Sequence, residues 1–153
     1  MRWLAVTVLG LTLTMTARGE DIVDVLRRSQ QQRLDGFTQA IDGPRATLVR
    51  QTFEALREKL GPLPAMDFHV IRGPVVAETL HGHVIVANES LADLPEGERT
   101  FLIAHEMGHV VNRHWLQMGM VYTRWVPGEV TPEVTDPVAG SLGREASGTA
   151  HRH

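Results

Sequence analysis

The sequence predicts an α+β fold in which one central helix packs against a small β-sheet, with further helices on its flanks. Three observations carry that expectation. A long stretch free of proline, Glu96 to Val126, holds the apolar run Phe101-Leu102-Ile103-Ala104 and then Val110-Val111, which reads as a partly buried helix. Ahead of it lie two or three short β-like runs, at 68–71, 75–80 and 84–87, broken by Arg72-Gly73-Pro74 and His81-Gly82-His83. Two helix-periodic segments come before those runs, and the 153 residues, 42% hydrophobic, allow one domain with a real core but not two.

The elements follow in order along the chain. Arg2, the apolar stretch Trp3 to Met15 and the small-x-small triplet Ala17-Arg18-Gly19 have the layout of a secretory signal peptide over residues 1–19, leaving 20–153 as the mature domain. The expected location is periplasmic or otherwise extracytoplasmic. If the segment is not cleaved, it instead anchors the N-terminus in a membrane, and that is the membrane contact the sequence offers. Asp21 to Leu34, with Ile22, Val25 and Leu26, suits a short amphipathic helix ended by Asp35-Gly36. After Asp42-Gly43-Pro44, Val49, Phe53, Leu56 and Leu60 fall at i, i+4, i+7 and i+11, a stronger helix stopped by Gly61-Pro62. The β-like runs suggest a hairpin or small meander, and 88–94 a loop. Asp93, Pro95 and Glu96 then start the long helix, which is expected to run to about Gln117. Residues 118–137, rich in Gly, Pro and Thr, read as a long surface loop, and 138–153 as a last helical segment.

The long helix carries His105-Glu106-Met107-Gly108-His109, an H-E-x-x-H motif. Residues four apart lie about 40° apart around a helix axis, so both imidazoles leave one face and can grip one metal ion. Zinc is the expected metal, one ion per chain. Glu106 adjoins the first ligand and is placed to take a proton from an attacking water, which makes it the candidate catalytic residue. The chain has no cysteine, so any metal must be held by His and carboxylates.

The run from Gly82 to Trp115, about a quarter of the chain, resembles the zinc metallopeptidases of the HtpX and CAAX prenyl protease type. Those proteins set a Gly-led strand, here Gly82-His83-Val84-Ile85-Val86, before a helix with H-E-x-G-H-x-x-x-R-H. The string His105 to His114 matches at every fixed position. The resemblance implies a zincin-like fold and a gluzincin site: two His from this helix, a Glu from a later helix, and water. It implies metalloendopeptidase activity on polypeptide substrates, with envelope protein quality control as its setting. For the later Glu two matches stand open. Ser141-Leu142-Gly143-Arg144-Glu145 places Glu145 as third metal ligand; alternatively Ala150-His151-Arg152-His153 resembles the stretch just before that ligand, and the chain stops one residue short of it.

Other constellations carry less. The metzincin pattern needs Gly and His where Asn112 and Trp115 stand, which excludes that class. On a straight helix His114 would be turned about 140° from His109 and unable to reach the same ion, leaving it a supporting or packing role. Arg113 reads as a surface or carboxylate-pairing residue. His81 and His83 fit a polar turn, His69 a strand, and His151 and His153 a frayed end. Tyr122 is a candidate hydrogen-bond donor to a developing oxyanion, and Trp125 either lines the substrate site or anchors its loop. Backbone pairing of a substrate is expected near Val84-Ile85-Val86. Loss of Arg2 and Arg18 with the leader takes the net charge from −3 to −5, and there is no basic run, which excludes a nucleic-acid surface. The second function class is an exported metal-binding or chaperone-like module without proteolytic activity.

Overall fold

A computed structural model describes residues 21–126 and residue 128. Residues 1–19, with the expected leader pattern, and Glu145, His151 and His153 lie outside the described residues. The architecture is α+β, with four helices and a four-stranded sheet among the described residues, compatible with a zincin-like fold.

Helix α1 spans Ile22–Asp35. The Asp21 side chain accepts from the Val23 N–H at 2.9 Å and so satisfies one of the orphan donors of the first turn; the Gly36 N–H closes the other end on Arg33 and Gln32 carbonyls. Helix α2 spans Pro44–Leu60, with proline in its first turn, where the missing N–H costs nothing. Strand β1 is only Thr38–Gln39; β2 is Asp67–Arg72, β3 Ala77–Leu80 and β4 Val84–Asn88.

The sheet order is β1-β2-β4-β3. Strand β4 runs parallel to β2, with Phe68 opposite Ile85, and antiparallel to β3, with Thr79 opposite Ile85. The hairpin-or-meander expectation holds only for the β3–β4 pair. Strand β3 lies on the far side of β4 from β2, because β4 is the most apolar run and is buried along its whole length. Val84-Ile85-Val86 is therefore an inner strand with both edges paired, and cannot itself accept a substrate strand. The outer strand on that side is β3, whose far edge is unpaired among the described residues.

Both sheet faces are covered. Val70, Ile85 and Ala87 meet Val49 and Phe53 of α2 and Ile103, Met107 and Val110 of the next long helix. Ile71, Leu80, Val84 and Val86 pack on the other face against Leu34 and Phe37 at the end of α1. Each such buried aliphatic side chain stabilises the fold by about 1.5–3 kcal/mol, and Phe53 and Phe68 add a stacked pair at 4.2 Å.

Residues 88–94 are not a plain loop. Glu89–Asp93 form a 3₁₀ turn capped by Asn88, whose Oδ1 accepts from the Ser90 N–H while its amide donates to the Gly73 and Val75 carbonyls. One buried Asn thus ties the entry of β3 to the exit of β4.

Helix α3 is Glu96–Val111 and ends earlier than its periodicity suggests. Arg113 adopts a left-handed conformation and a separate helix, α4, begins at His114 and runs to Trp125. Residues 118–125 are accordingly helical rather than loop. Gly119 lies against Val23 of α1, and this packing offsets the poor helix propensity of Gly119 and Thr123. Arg113 and His114, expected near a helix C-terminus, sit at the N-terminus of α4. Among the described residues no helix is long and apolar enough to cross a membrane.

Candidate metal centre

Helix α3 buries Arg99, Ile103, Met107 and Val110, a stripe at helical spacing that faces the sheet. His105 and His109 occupy the opposite side, and Glu106 lies between the two faces. The stripe thus decides where the motif points. Arg99 locks the start of the helix: its guanidinium donates to Thr52 Oγ1 of α2 at 3.0 Å and to the Leu94 carbonyl at 3.0 Å.

The His105 and His109 rings are nearly perpendicular, and their Nε2 atoms stand 3.1 Å apart. Two nitrogens each about 2.0–2.1 Å from a tetrahedral zinc would be separated by roughly 3.4 Å, so the pair fits the ion with little adjustment. His105, Glu106 and His109 offer one ligand atom each within 4.8 Å of one another, and theirs is the group that could hold a metal among the described residues. His105 is exposed and the other two are partly buried, so the group is reachable from solvent.

Glu106 is held from the sheet. The Thr79 hydroxyl on β3 lies 2.7 Å from Glu106 Oε2 and 3.0 Å from the Glu106 carbonyl oxygen. Spacing in the sequence gave no sign of Thr79, since the contact depends on α3 crossing β3. Behind it, Glu78 points to the other face and pairs with Arg33 at 2.6 Å. Burial pushes the Glu78 carboxyl above its ordinary value, with Arg33 opposing and Glu106 reinforcing. Burial also pulls the His109 ring below its usual value; Glu106 opposes this while His105 and His114 add to it. A depressed His109 favours the neutral imidazole, the form with a lone pair for a metal.

A partly buried helix thus presents two imidazoles and a carboxylate beside a sheet edge that is unpaired among the described residues. Residues 53–128 match the model of peptidase family M48. The match spans 76 of the 153 residues and makes that part of the chain similar to metallopeptidases. It takes in the second half of α2, β2 to β4, α3 and α4, and so His105, Glu106 and His109, but not Glu145. Neither the curated proteins nor the solved structures give a significant match.

The remaining sequence candidates fall as follows. His81 is in the β3–β4 turn, with its ring toward Trp115 at 6.5 Å, and His83 is beside it, neither in the His105 group. Tyr122 and Trp125 are on α4, and Trp125 is exposed. Arg113 has no carboxylate partner among the described residues. His114 is not turned away as on a straight helix, because the helix breaks before it; its ring stands against that of His109.

Proposed function

We propose that this chain is a zinc-dependent metalloendopeptidase that hydrolyses internal peptide bonds of polypeptide substrates. The observation that carries the reading is the pair of Nε2 atoms of His105 and His109, 3.1 Å apart on one helix face with the Glu106 carboxylate alongside. His105 and His109 would hold the ion, with a third carboxylate for which Glu145 is the proposed donor. Zinc supplies Lewis acidity, polarising the scissile carbonyl and acidifying a water.

The protein's own groups do the rest. Glu106 accepts the proton of the attacking water and later returns it to the leaving amine. Thr79 holds the Glu106 carboxylate by one oxygen, leaving the other free for that transfer. Strand β3 offers an open edge beside α3, and an extended substrate pairing with it would lie across the centre whatever its side chains. Export after cleavage at Gly19, membership of the HtpX and CAAX prenyl protease type, and a role in envelope protein turnover are proposed on the resemblance of 82–115 and on the leader pattern of 1–19.

The test measures zinc per chain and cleavage of an unfolded casein by the wild type and Glu106→Gln. The expected result is one zinc in both proteins and cleavage by the wild type alone. If zinc binds stoichiometrically and neither protein cleaves, the enzyme reading gives way to a metal-binding or chaperone-like module.

A further inference from the structure

Helix α3 ends where the backbone of Arg113 turns left-handed, at φ 53° and ψ 40°. For a residue with a Cβ that conformation costs about 1–2 kcal/mol. The Arg113 side chain does not compensate: it is exposed and has no carboxylate partner among the described residues, leaving the backbone bonds to Val110 and Gln117 to hold the turn. A strained backbone beside a functional motif points to what it positions.

What it positions is the next residue. The kink swings the His114 ring against His109, Nδ1 to Nδ1 at 2.7 Å, with ring centroids 4.8 Å apart and planes at 75°. The other nitrogen of His109, Nε2, is the one facing His105. The two nitrogens of a single ring therefore serve different neighbours.

Two nitrogens at that distance form a hydrogen bond only if one donates and the other accepts. On the zinc reading above, on which this inference rests, Nε2 of His109 must present its lone pair to the ion. The single proton of the neutral ring then sits on Nδ1. His114 Nδ1 has to accept it, and His114 is in turn protonated at Nε2. We propose that His114 is the positioning residue of the metal centre: it fixes the tautomer and the ring orientation of His109 from behind. Among the described residues no carboxylate or carbonyl bonds to His109 Nδ1, so this task falls to a histidine delivered by a left-handed kink.

The experiment compares the full chain with His114→Ala and His114→Asn. Asn branches at Cγ as His does, so its Oδ1 falls where Nδ1 was and keeps an acceptor. Zinc affinity is read by competition with a chromogenic chelator, fold by circular dichroism and the urea midpoint of the metal-free protein. A partner of this kind is typically worth 10–100-fold in metal affinity, so His114→Ala should bind zinc about 10–100-fold more weakly. Its metal-free midpoint should stay at the wild-type value, and His114→Asn should recover most of the affinity. Wild-type zinc affinity in His114→Ala overturns the inference and leaves the metallopeptidase reading intact. So does a loss that Asn does not relieve and that tracks a lowered metal-free midpoint, since that is a packing role. A wild type that binds no zinc removes both.

Discussion

The hydroxyl of Thr79 lies 2.7 Å from Oε2 of Glu106, joining the outer strand of the sheet to the carboxylate between two metal-ligand candidates. The bond spans 27 residues of sequence and constrains the one flexible acid in the centre. A hydrogen bond to a charged group contributes about 1.5–3 kcal/mol. Thr79→Val keeps the shape and removes the donor. The expected outcome is a fall in kcat/KM of about ten- to a hundredfold with zinc content unchanged, while Thr79→Ser stays near wild type. Peptide hydrolysis measured beside metal analysis checks this, and unchanged kinetics in Thr79→Val would exclude a role for the bond.

The β3–β4 turn has a stricter requirement. His81 and Gly82 both have positive φ, 52° and 75°, as the central positions of a type I′ turn require. A Cβ on Gly82 would stand 2.9 Å from Cβ of Trp115, at the start of α4. Gly82→Ala therefore combines backbone strain with a clash at the root of a side chain, which cannot swing away. We expect a loss of at least about 1 kcal/mol in urea unfolding. A variant as stable as the wild type would mean that α4 does not seat on this turn in solution.

Much of this fold was legible because its determinants are local. Asp21 and Gly36 bracket α1, and Pro44 and Gly61 bracket α2, since capping and helix termination act within a few residues. The strands were also readable as apolar runs. Their order was not: the parallel pairing of β2 with β4 is a choice among similar partners settled by the covering helices. The two-residue β1 is too short to leave a pattern. His105, Glu106 and His109 declared themselves by spacing, which a helix converts directly into a shared face. Thr79 and His114 did not, because one contact depends on how two elements cross and the other on a left-handed Arg113, a residue type that by propensity continues a helix.

Protonation of two histidines should weaken the metal-free protein in mild acid, partly offset by Glu78, whose raised carboxyl takes up its proton more readily in the folded state. His81 and His109 both have depressed pKa values, chiefly through burial; at His81 the like charges of His83 and Arg27 add to the effect and Asp35 opposes it. The unfolded chain, with imidazoles near 6.5, binds protons that the folded state resists. Stability is thus fully present above that value and is lost as pH falls through the lowered folded values. His81→Asn removes one contributor, and Asn accepts the left-handed backbone at φ 52°. The expected observation is a urea midpoint that drops between about pH 7.5 and about pH 5.5, with a smaller drop in the variant. An equal drop in both proteins would remove His81 from the account.

The outer strand makes the last prediction, and its ladder says which residues face outward. The Asn88 N–H donates to the Val76 carbonyl at 2.8 Å, so pairing with β4 continues through alternate residues, Glu78 and then Leu80. The peptide groups of Ala77 and Thr79 point the other way, where no further strand lies among the described residues. Proline at an outward position of an edge strand deletes a donor the sheet does not use. Ala77→Pro should therefore keep the fold, read by circular dichroism, while an extended substrate loses one backbone bond. With one such bond worth about 1 kcal/mol, KM should rise about fivefold and kcat should change little. Should KM stay unchanged in a folded variant, the substrate does not pair with β3 at Ala77.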